Sequence, residues 1–303
     1  MREKTRQVLH GEMKQYIARR RNTPRLGKDA RNRILAQVIG VAPPDATLPA
    51  VVAREGVNGR TGHGFNVPRI VDVWNDMAHI SVNEALLDRN LVITASRTDP
   101  AHSVFDVLRT RLVMALAEKG WTRVAVTSPT DGCGKTFTAV NLAIALSRYD
   151  SCRTVLLDMD MRRPGDMARM LGARAPGSMA DFLRGGRAVE AHMLRMGQNL
   201  LKIGPNLAIG LNDRVESYAS EILKHPDTTR VLERMTADLQ PDVVLYDMPS
   251  VLSHDDVLAF RQHFDAVLLV SGGGVTTPDD LSNVMRLMGE AMPLLGVVLN
   301  RGE

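Results

Sequence analysis

The sharpest chemical signal in this chain is Thr127-Ser128-Pro129-Thr130-Asp131-Gly132-Cys133-Gly134-Lys135-Thr136. It lies between a β-branched run, Arg123 to Ser128, and a helical pattern, Lys135 to Arg148, so a strand should end and a helix begin here. Glycines at 132 and 134 let the backbone N–H groups turn inward towards an anion, which is how a loop at a helix N-terminus cradles a phosphate. Lys135 would then reach the outer phosphate oxygens of a nucleotide, and the Thr136 hydroxyl would ligate Mg²⁺. The strict phosphate-loop pattern is missed at its first position, where Pro129 replaces Gly.

Three carboxylates complete the candidate chemistry. Val155-Leu156-Leu157-Asp158-Met159-Asp160 sets two beyond a buried run, and Val243-Val244-Leu245-Tyr246-Asp247 sets a third. Ligands of open α/β sheets bind just beyond the carboxyl ends of the strands. Mg²⁺ keeps several waters and takes only one or two protein carboxylates. Thr136, Asp158 and Asp247 are therefore the candidate metal residues, with Asp247 acting from behind the direct ligands or through water. Asp158 or Asp160 could orient or deprotonate an attacking hydroxyl or water. The candidate catalytic set is Lys135, Asp158, Asp160 and Asp247. The alternative, that these carboxylates only cap helices, is strongest for Asp160.

The elements that must position these groups can be read from the pattern. Runs at Arg123 to Ser128, Thr154 to Leu157, Val243 to Tyr246, Ala266 to Ser271 and Leu294 to Leu299 read as strands buried on both faces. Helical patterns at Lys135 to Arg148 and Pro278 to Met292 lie between them. Alternation of this kind predicts an α/β fold with a doubly wound, mostly parallel sheet. The long interval from Asp160 to Asp242 should carry extra helices at Asp166 to Leu171, Ser178 to Arg184 and Val215 to Leu239, and a short strand near Leu200.

The 303 residues, 44% apolar and 24% charged, suit a globular protein, and the longest apolar run, Met292 to Leu299, is far short of a membrane span. The expected location is cytoplasmic, since no signal-like segment follows Met1. Two cysteines and eight histidines show no disulfide framework or zinc spacing. The formal charge of +4 is unevenly spread: residues 1–33 hold 11 Lys/Arg against 3 Asp/Glu, leaving the remainder at −4. We read 1–33 as a basic arm with Leu9, Met13, Tyr16 and Ile17 at helical spacing, suited either to an anionic membrane surface or to plain solvation. Residues 34–80 read as a linker, because 9 of the 29 residues from Gly40 to Pro68 are Gly or Pro, and 81–303 as the nucleotide-binding domain. With 12 aromatics, base-stacking platforms for nucleic acid are not expected.

In order along the chain, the phosphate loop, Asn141-Leu142-Ala143, Leu-Leu-Asp158-x-Asp160-x-Arg162-x-Pro164, Tyr-Asp247-Met-Pro249 and Gly296-Val-Val-Leu-Asn300-Arg301 resemble the bacterial tyrosine kinase family. These are the cytoplasmic ATP-binding components of capsule and exopolysaccharide co-polymerase systems, P-loop NTPases of the MinD/ParA-like class. The resemblance covers about residues 80 to 303. It implies ATP and Mg²⁺ as cofactors, held by Asp131, Gly132, Cys133, Gly134, Lys135, Thr136 and Phe137, with Asn300 and Arg301 at the base. It also implies a membrane co-polymerase on a separate chain as partner, and homo-oligomer formation.

Departures from the family pattern limit what it implies. No tyrosine cluster closes this sequence; Tyr16, Tyr149, Tyr218 and Tyr246 are its tyrosines, and Tyr16 in the arm is the expected self-substrate. The family's assembly motif, Glu-x-x-Arg-x-x-Arg, reads Ser103-x-x-Asp106-x-x-Arg109, which argues against ring formation by that route. A Pro-Pro pair has become Pro249-Ser250. Three functions compete: a tyrosine kinase regulating exopolysaccharide synthesis, an ATP-gated adaptor of the co-polymerase, and a MinD/ParA-type positioning ATPase. Thr130, where the last class carries a second lysine, argues against it. Cys133, at a helix N-terminus where thiolates are favoured, is a candidate redox switch.

Overall fold

A computed structural model describes residues 70–95 and 101–300, together with the backbone of 37–39. The arm at 1–33 and Arg301 lie outside the described residues. Among the described residues nine strands form one sheet: β1 (Gln37–Ile39), β2 (Ala78–Ile80), β3 (Arg123–Thr127), β4 (Thr154–Asp158), β5 (Met193–Met196), β6 (Leu207–Gly210), β7 (Val243–Asp247), β8 (Ala266–Gly272) and β9 (Leu294–Asn300). Their order is β1-β9-β8-β3-β7-β4-β6-β5-β2. The six from β9 to β6 run parallel; β1, β5 and β2 run against them.

The five expected strands form because each is apolar at successive positions, and successive side chains enter opposite layers. Val124, Val126, Leu156, Leu245 and Leu268 point into one core; Ala125, Val155, Leu157, Tyr246 and Leu269 point into the other. The first core is closed by α2 (Glu84–Arg89), α3 (His102–Lys119), α4 (Lys135–Leu146) and α5 (Asp166–Leu171). The second is closed by α1 (Ile70–Asp76), α6 (Met179–Leu183), α7 (Val189–His192), α8 (Ala219–Lys224), α9 (Pro226–Leu239), α10 (Asp256–Ala259) and α11 (Pro278–Met288). The sheet is doubly wound, as the alternation predicts.

Three expectations are corrected. Residues 70–80, read as linker, form α1 and edge strand β2: Val73 and Trp74 are buried, the Trp74 indole donates to Leu239 O at 3.1 Å, and β2 pairs with β5. The single helix expected over Val215 to Leu239 is two, because Pro226 holds His225 in an extended conformation (ψ 142°) and starts α9 at its own first position. The strand expected near Leu200 is replaced by β5 and β6 on either side, paired antiparallel, with Leu200 in the connection and 99% exposed.

α4 sits between α3 and the sheet, with every residue from Thr138 to Leu146 buried, so the helix behind the glycine loop is fixed on all sides. Asn141 pins it further. Its amide donates to Leu91 O and Phe137 O, and its carbonyl oxygen accepts from the Thr94 backbone N–H and hydroxyl. In α3, Asp106 is taken by His102 (2.9 Å) and Arg109 (3.0 Å), while Arg109 also donates to Ala145 O and lies over the Tyr149 ring. Asp106 and Arg109 thus serve contacts within the chain.

Candidate functional site

The strand order brings together residues far apart in sequence. The chain goes from β3 to β4 and out to the sheet edge before β7 returns to lie between them, so Asp247 pairs with Val126 on one side and with Asp158 on the other. Three strand ends, and the loop that follows β3, therefore meet at one point of the carboxyl edge.

The loop has the conformation its glycines imply. Gly132 and Gly134 take φ of +78° and +88°, a region that L side chains avoid. At Gly134 the space is closed as well: a Cβ there would fall 1.9 Å from Asn300 Nδ2. Asn300, at the end of β9, is buried and donates to Cys133 O at 3.0 Å. It supports the loop from below. The Thr138 hydroxyl donates to Gly134 O, and the Ser128 hydroxyl to Thr130 O.

Lys135 and Asp160 form a close ion pair, Nζ to Oδ2 2.8 Å, both largely buried. Burial works against the ammonium, but Asp247, Asp160 and Asp131 more than offset it and hold the Lys135 pKa above its usual value. Asp160 also accepts from the Arg163 backbone N–H, a local capping bond of the kind expected as the alternative for this residue. Asp158 and Asp247 differ sharply. Asp158 Oδ2 and both Asp247 oxygens are buried without a hydrogen-bond partner among the described residues. Burial, and then the neighbouring Asp247 and Asp160, push Asp158 well above the carboxylate range. Burial lifts Asp247 to about 7, against the pull of Lys135 and of the Thr136 hydroxyl beside it.

Unpartnered buried carboxylates cost several kcal/mol unless something neutralises them. Here a hard divalent cation fits: hard oxygen donors from Asp158, Asp247 and Thr136 converge at the foot of an anion-binding loop. Mg²⁺ bound there would supply positive charge between the strand ends and the phosphates.

Other predicted residues take different roles. Asp131, at the tip of the loop, accepts from the Ser250 hydroxyl at 2.7 Å and pairs with Arg163. Burial opposes its ionisation, but Ser250, Arg163 and Lys135 lower its pKa. Ser250, where the family has a second proline, thus anchors the loop; its short hydroxyl was the only signal for this in the sequence. Phe137 turns its ring to Phe105, edge to face at 5.9 Å. Cys133 is fully buried, its Sγ 3.4 Å from the Thr276 hydroxyl, and this burial removes the redox-switch reading.

Arg162 is turned away from the phosphate loop. Its guanidinium grips the fully buried Asp256 with two bonds of 3.0 and 2.9 Å and donates to Ser217 O at 2.7 Å. Asp256, in α10, was not singled out from the sequence, because nothing near it marks a charge bound for the interior.

With this geometry in view, three kinds of known protein are similar. The model for the CobQ/CobB/MinD/ParA nucleotide binding domain matches residues 124–303. A putative tyrosine-protein kinase EpsB of Ralstonia solanacearum is 29% identical over 240 residues, 78% of this chain and 31% of the relative. The tyrosine-protein kinase wzc of Salmonella typhi is 25% identical over 216 residues, 69% of this chain and 28% of the relative. The chain thus spans about a third or less of the length of these two relatives. The solved BceF tyrosine kinase domain is 25% identical with a TM-score of 0.55, covering 78% of this chain and 93% of that one. The chimerical protein CapA2B2 shares the fold at 20% identity and a TM-score of 0.63, covering 77% and 99%. A match over more than half the chain, onto a loop and strand ends with the geometry of a phosphate site, places this protein in the CobQ/CobB/MinD/ParA family of nucleotide-binding domains.

Proposed function

We propose that this protein is an ATP- and Mg²⁺-dependent phosphotransferase of the tyrosine-kinase type that regulates exopolysaccharide or capsule synthesis together with a membrane co-polymerase. The observation that carries the reading is the pair of buried carboxylates Asp158 and Asp247, three of whose oxygens have no hydrogen-bond partner among the described residues, set beside Thr136 and the glycine loop. Three carboxylate oxygens left without partners where strand ends meet an anion-binding loop are the kind of donors a bound cation satisfies. The names of the similar relatives support the activity class.

Each residue has a task in this reading. The N–H groups of Gly132 to Thr136 and the Lys135 ammonium hold the phosphates, for which Lys135 gives up its contact with Asp160. Thr136, Asp158 and Asp247 hold the cation. Asp160, released from Lys135, is free to orient the attacking hydroxyl. The basic arm at 1–33 suits the anionic inner face of the plasma membrane, and so does a location at that face.

The test is incubation of the whole protein with Mg²⁺ and γ-labelled ATP, with Lys135→Met as the control. Nucleotide binding and transfer of label to protein tyrosine in the wild type, both lost in the variant, are the expected result. Binding without any transfer or hydrolysis would replace the kinase with an ATP-gated adaptor, and no binding would refute both.

A further inference from the structure

The carboxyl edge of the sheet carries a second hollow beyond the nucleotide site. β6 leaves that edge at Gly210, which lies beside Leu157 of β4 on one side and Met193 of β5 on the other. Arg214 follows four residues after Gly210, and α7 ends at His192, directly before Met193. The turn that joins α6 to α7 lines an open hollow of about 540 Å³, walled by Asp181, Arg184, Arg187, Ala188 and Ala191. A smaller hollow adjoins it, sharing Asp181 and Arg184 and bounded by Arg214 and Glu216. Neighbouring strands lie about 4.8 Å apart, so the chain enters and leaves the sheet here about 5 and 10 Å along the edge from β4.

The arginines of this hollow are held in place without an anion to hold. Beneath them the rings of Phe182 and His192 stack nearly parallel at 4.4 Å and lock α6 to α7. The turn between is fixed by Gly185 N donating to Phe182 O and Gly186 N donating to Asp181 O, both at 2.9 Å. The Arg187 guanidinium lies over Gly177, where a Cβ would fall 2.7 Å from its Nε, so a glycine makes room for it. Arg123, Arg162 and Arg163 each meet a carboxylate within 3 Å. By contrast Arg184 comes no nearer to Glu216 than 3.7 Å, and Arg187 and Arg214 have no carboxylate within ion-pair distance among the described residues. Residues 34–303 carry a net charge of −4, so this positive hollow is a local departure from the rest of the body. No aromatic side chain lines either hollow, which leaves a nucleotide base nothing to stack on.

We propose that this hollow docks an acidic segment of the protein that accepts the phosphoryl group, its carboxylates meeting Arg184, Arg187 and Arg214. A guanidinium presents paired N–H donors that match a carboxylate two to two, and three of them around one hollow suit a run of Asp and Glu side chains. The wall of the hollow is tied to the nucleotide site through the backbone: Glu216 N donates to Met161 O at 2.9 Å, and Met161 directly follows Asp160. A segment docked here lies along the same edge of the sheet as the phosphate loop. The inference deepens the kinase reading above by giving the chemistry of its acceptor, and it rests on that reading for the acceptor's fate; the docking itself needs no nucleotide.

The experiment follows the fluorescence anisotropy of a fluorescein-labelled peptide, Glu-Glu-Glu-Tyr-Glu-Glu-Glu, titrated with the whole protein in EDTA without ATP. Saturable binding that weakens with salt is the expected result. Arg187→Glu and Arg214→Glu should each weaken it by about tenfold or more, since each loses a charge-assisted contact and gains a repulsion. Arg187→Lys should recover part of the loss, because lysine keeps the charge without the paired donors. Arg286→Glu, on α11 in the other half of the sheet, should change nothing, and the peptide with lysine in place of glutamate should not bind. Circular dichroism and ATP binding of every variant check that the fold is kept. Binding that Arg187→Glu and Arg214→Glu leave intact would put the peptide on the basic arm or on the surface at large and overturn the inference, as would the absence of binding. Peptide that docks at the hollow but takes no phosphate once Mg²⁺ and ATP are added would leave the hollow standing and refute the kinase reading instead.

Discussion

Asp247→Asn should stabilise the protein while disabling it. Burial lifts the Asp247 carboxyl from 3.8 to about 7. A shift of that size, at 1.36 kcal/mol per pH unit, corresponds to about 4 kcal/mol. The sign follows from the proton count. Between the two values the folded state holds the proton and the unfolded state has lost it, so stability falls as pH rises from about 4 to about 7, and the full cost is present above that. Asparagine keeps the shape without the charge, but it still buries an unpaired amide at about 1–3 kcal/mol. The variant should therefore be more stable than wild type by about 1–3 kcal/mol at pH 8, a gain in Tm of several degrees for a domain of this size. At pH 5 the folded wild type carries a protonated Asp247 and the advantage should vanish. Urea unfolding followed by circular dichroism at both pH values, in EDTA, measures this. Adding Mg²⁺ and ATP should reverse the order, stabilising the wild type alone. A variant less stable at pH 8, or a difference independent of pH, would refute the argument that an unpaired charge is stored for a cation.

Two further outcomes test the surroundings of the site. Arg162→Ala leaves Asp256 buried and unpaired, and should cost about 3 kcal/mol in urea unfolding, with Arg162→Lys recovering only part because it cannot bridge two carboxylate oxygens and Ser217 O together. His192 is fully buried, stacked on Phe182 at 4.4 Å, with both ring nitrogens unpartnered among the described residues, and burial lowers its pKa to about 4. The unfolded state takes up this proton first as pH falls, so about 3 kcal/mol should be lost between pH 6.5 and 4, and His192→Phe should flatten that slope in the same assay.

The local chemistry was legible in the sequence because each part is written in adjacent residues. Glycines at 132 and 134 state a backbone that needs positive φ, Lys135 and Thr136 follow them at the helix start, and Asp158 and Asp247 end apolar runs that can only be buried strands. Strand against helix was equally plain, since the two periods differ and the central strands carry unbroken apolar runs between their ends. What the sequence could not hold was which strand lies beside which. That β7 enters between β3 and β4, and so sets Asp247 against Asp158, is settled by packing two cores at once over more than a hundred residues of chain. The same limit explains Arg162, Asn300 and Ser250. Their types alone do not name their partners within the chain; what the fold brings within 3 Å does: a buried Asp256, the carbonyl of Cys133, the carboxylate of Asp131. It explains the tyrosines as well. Their number was in the sequence; that Tyr246 is sealed in the sheet while Tyr218 stands in solvent was decided by the tertiary structure, because burial is a property of the whole packed chain.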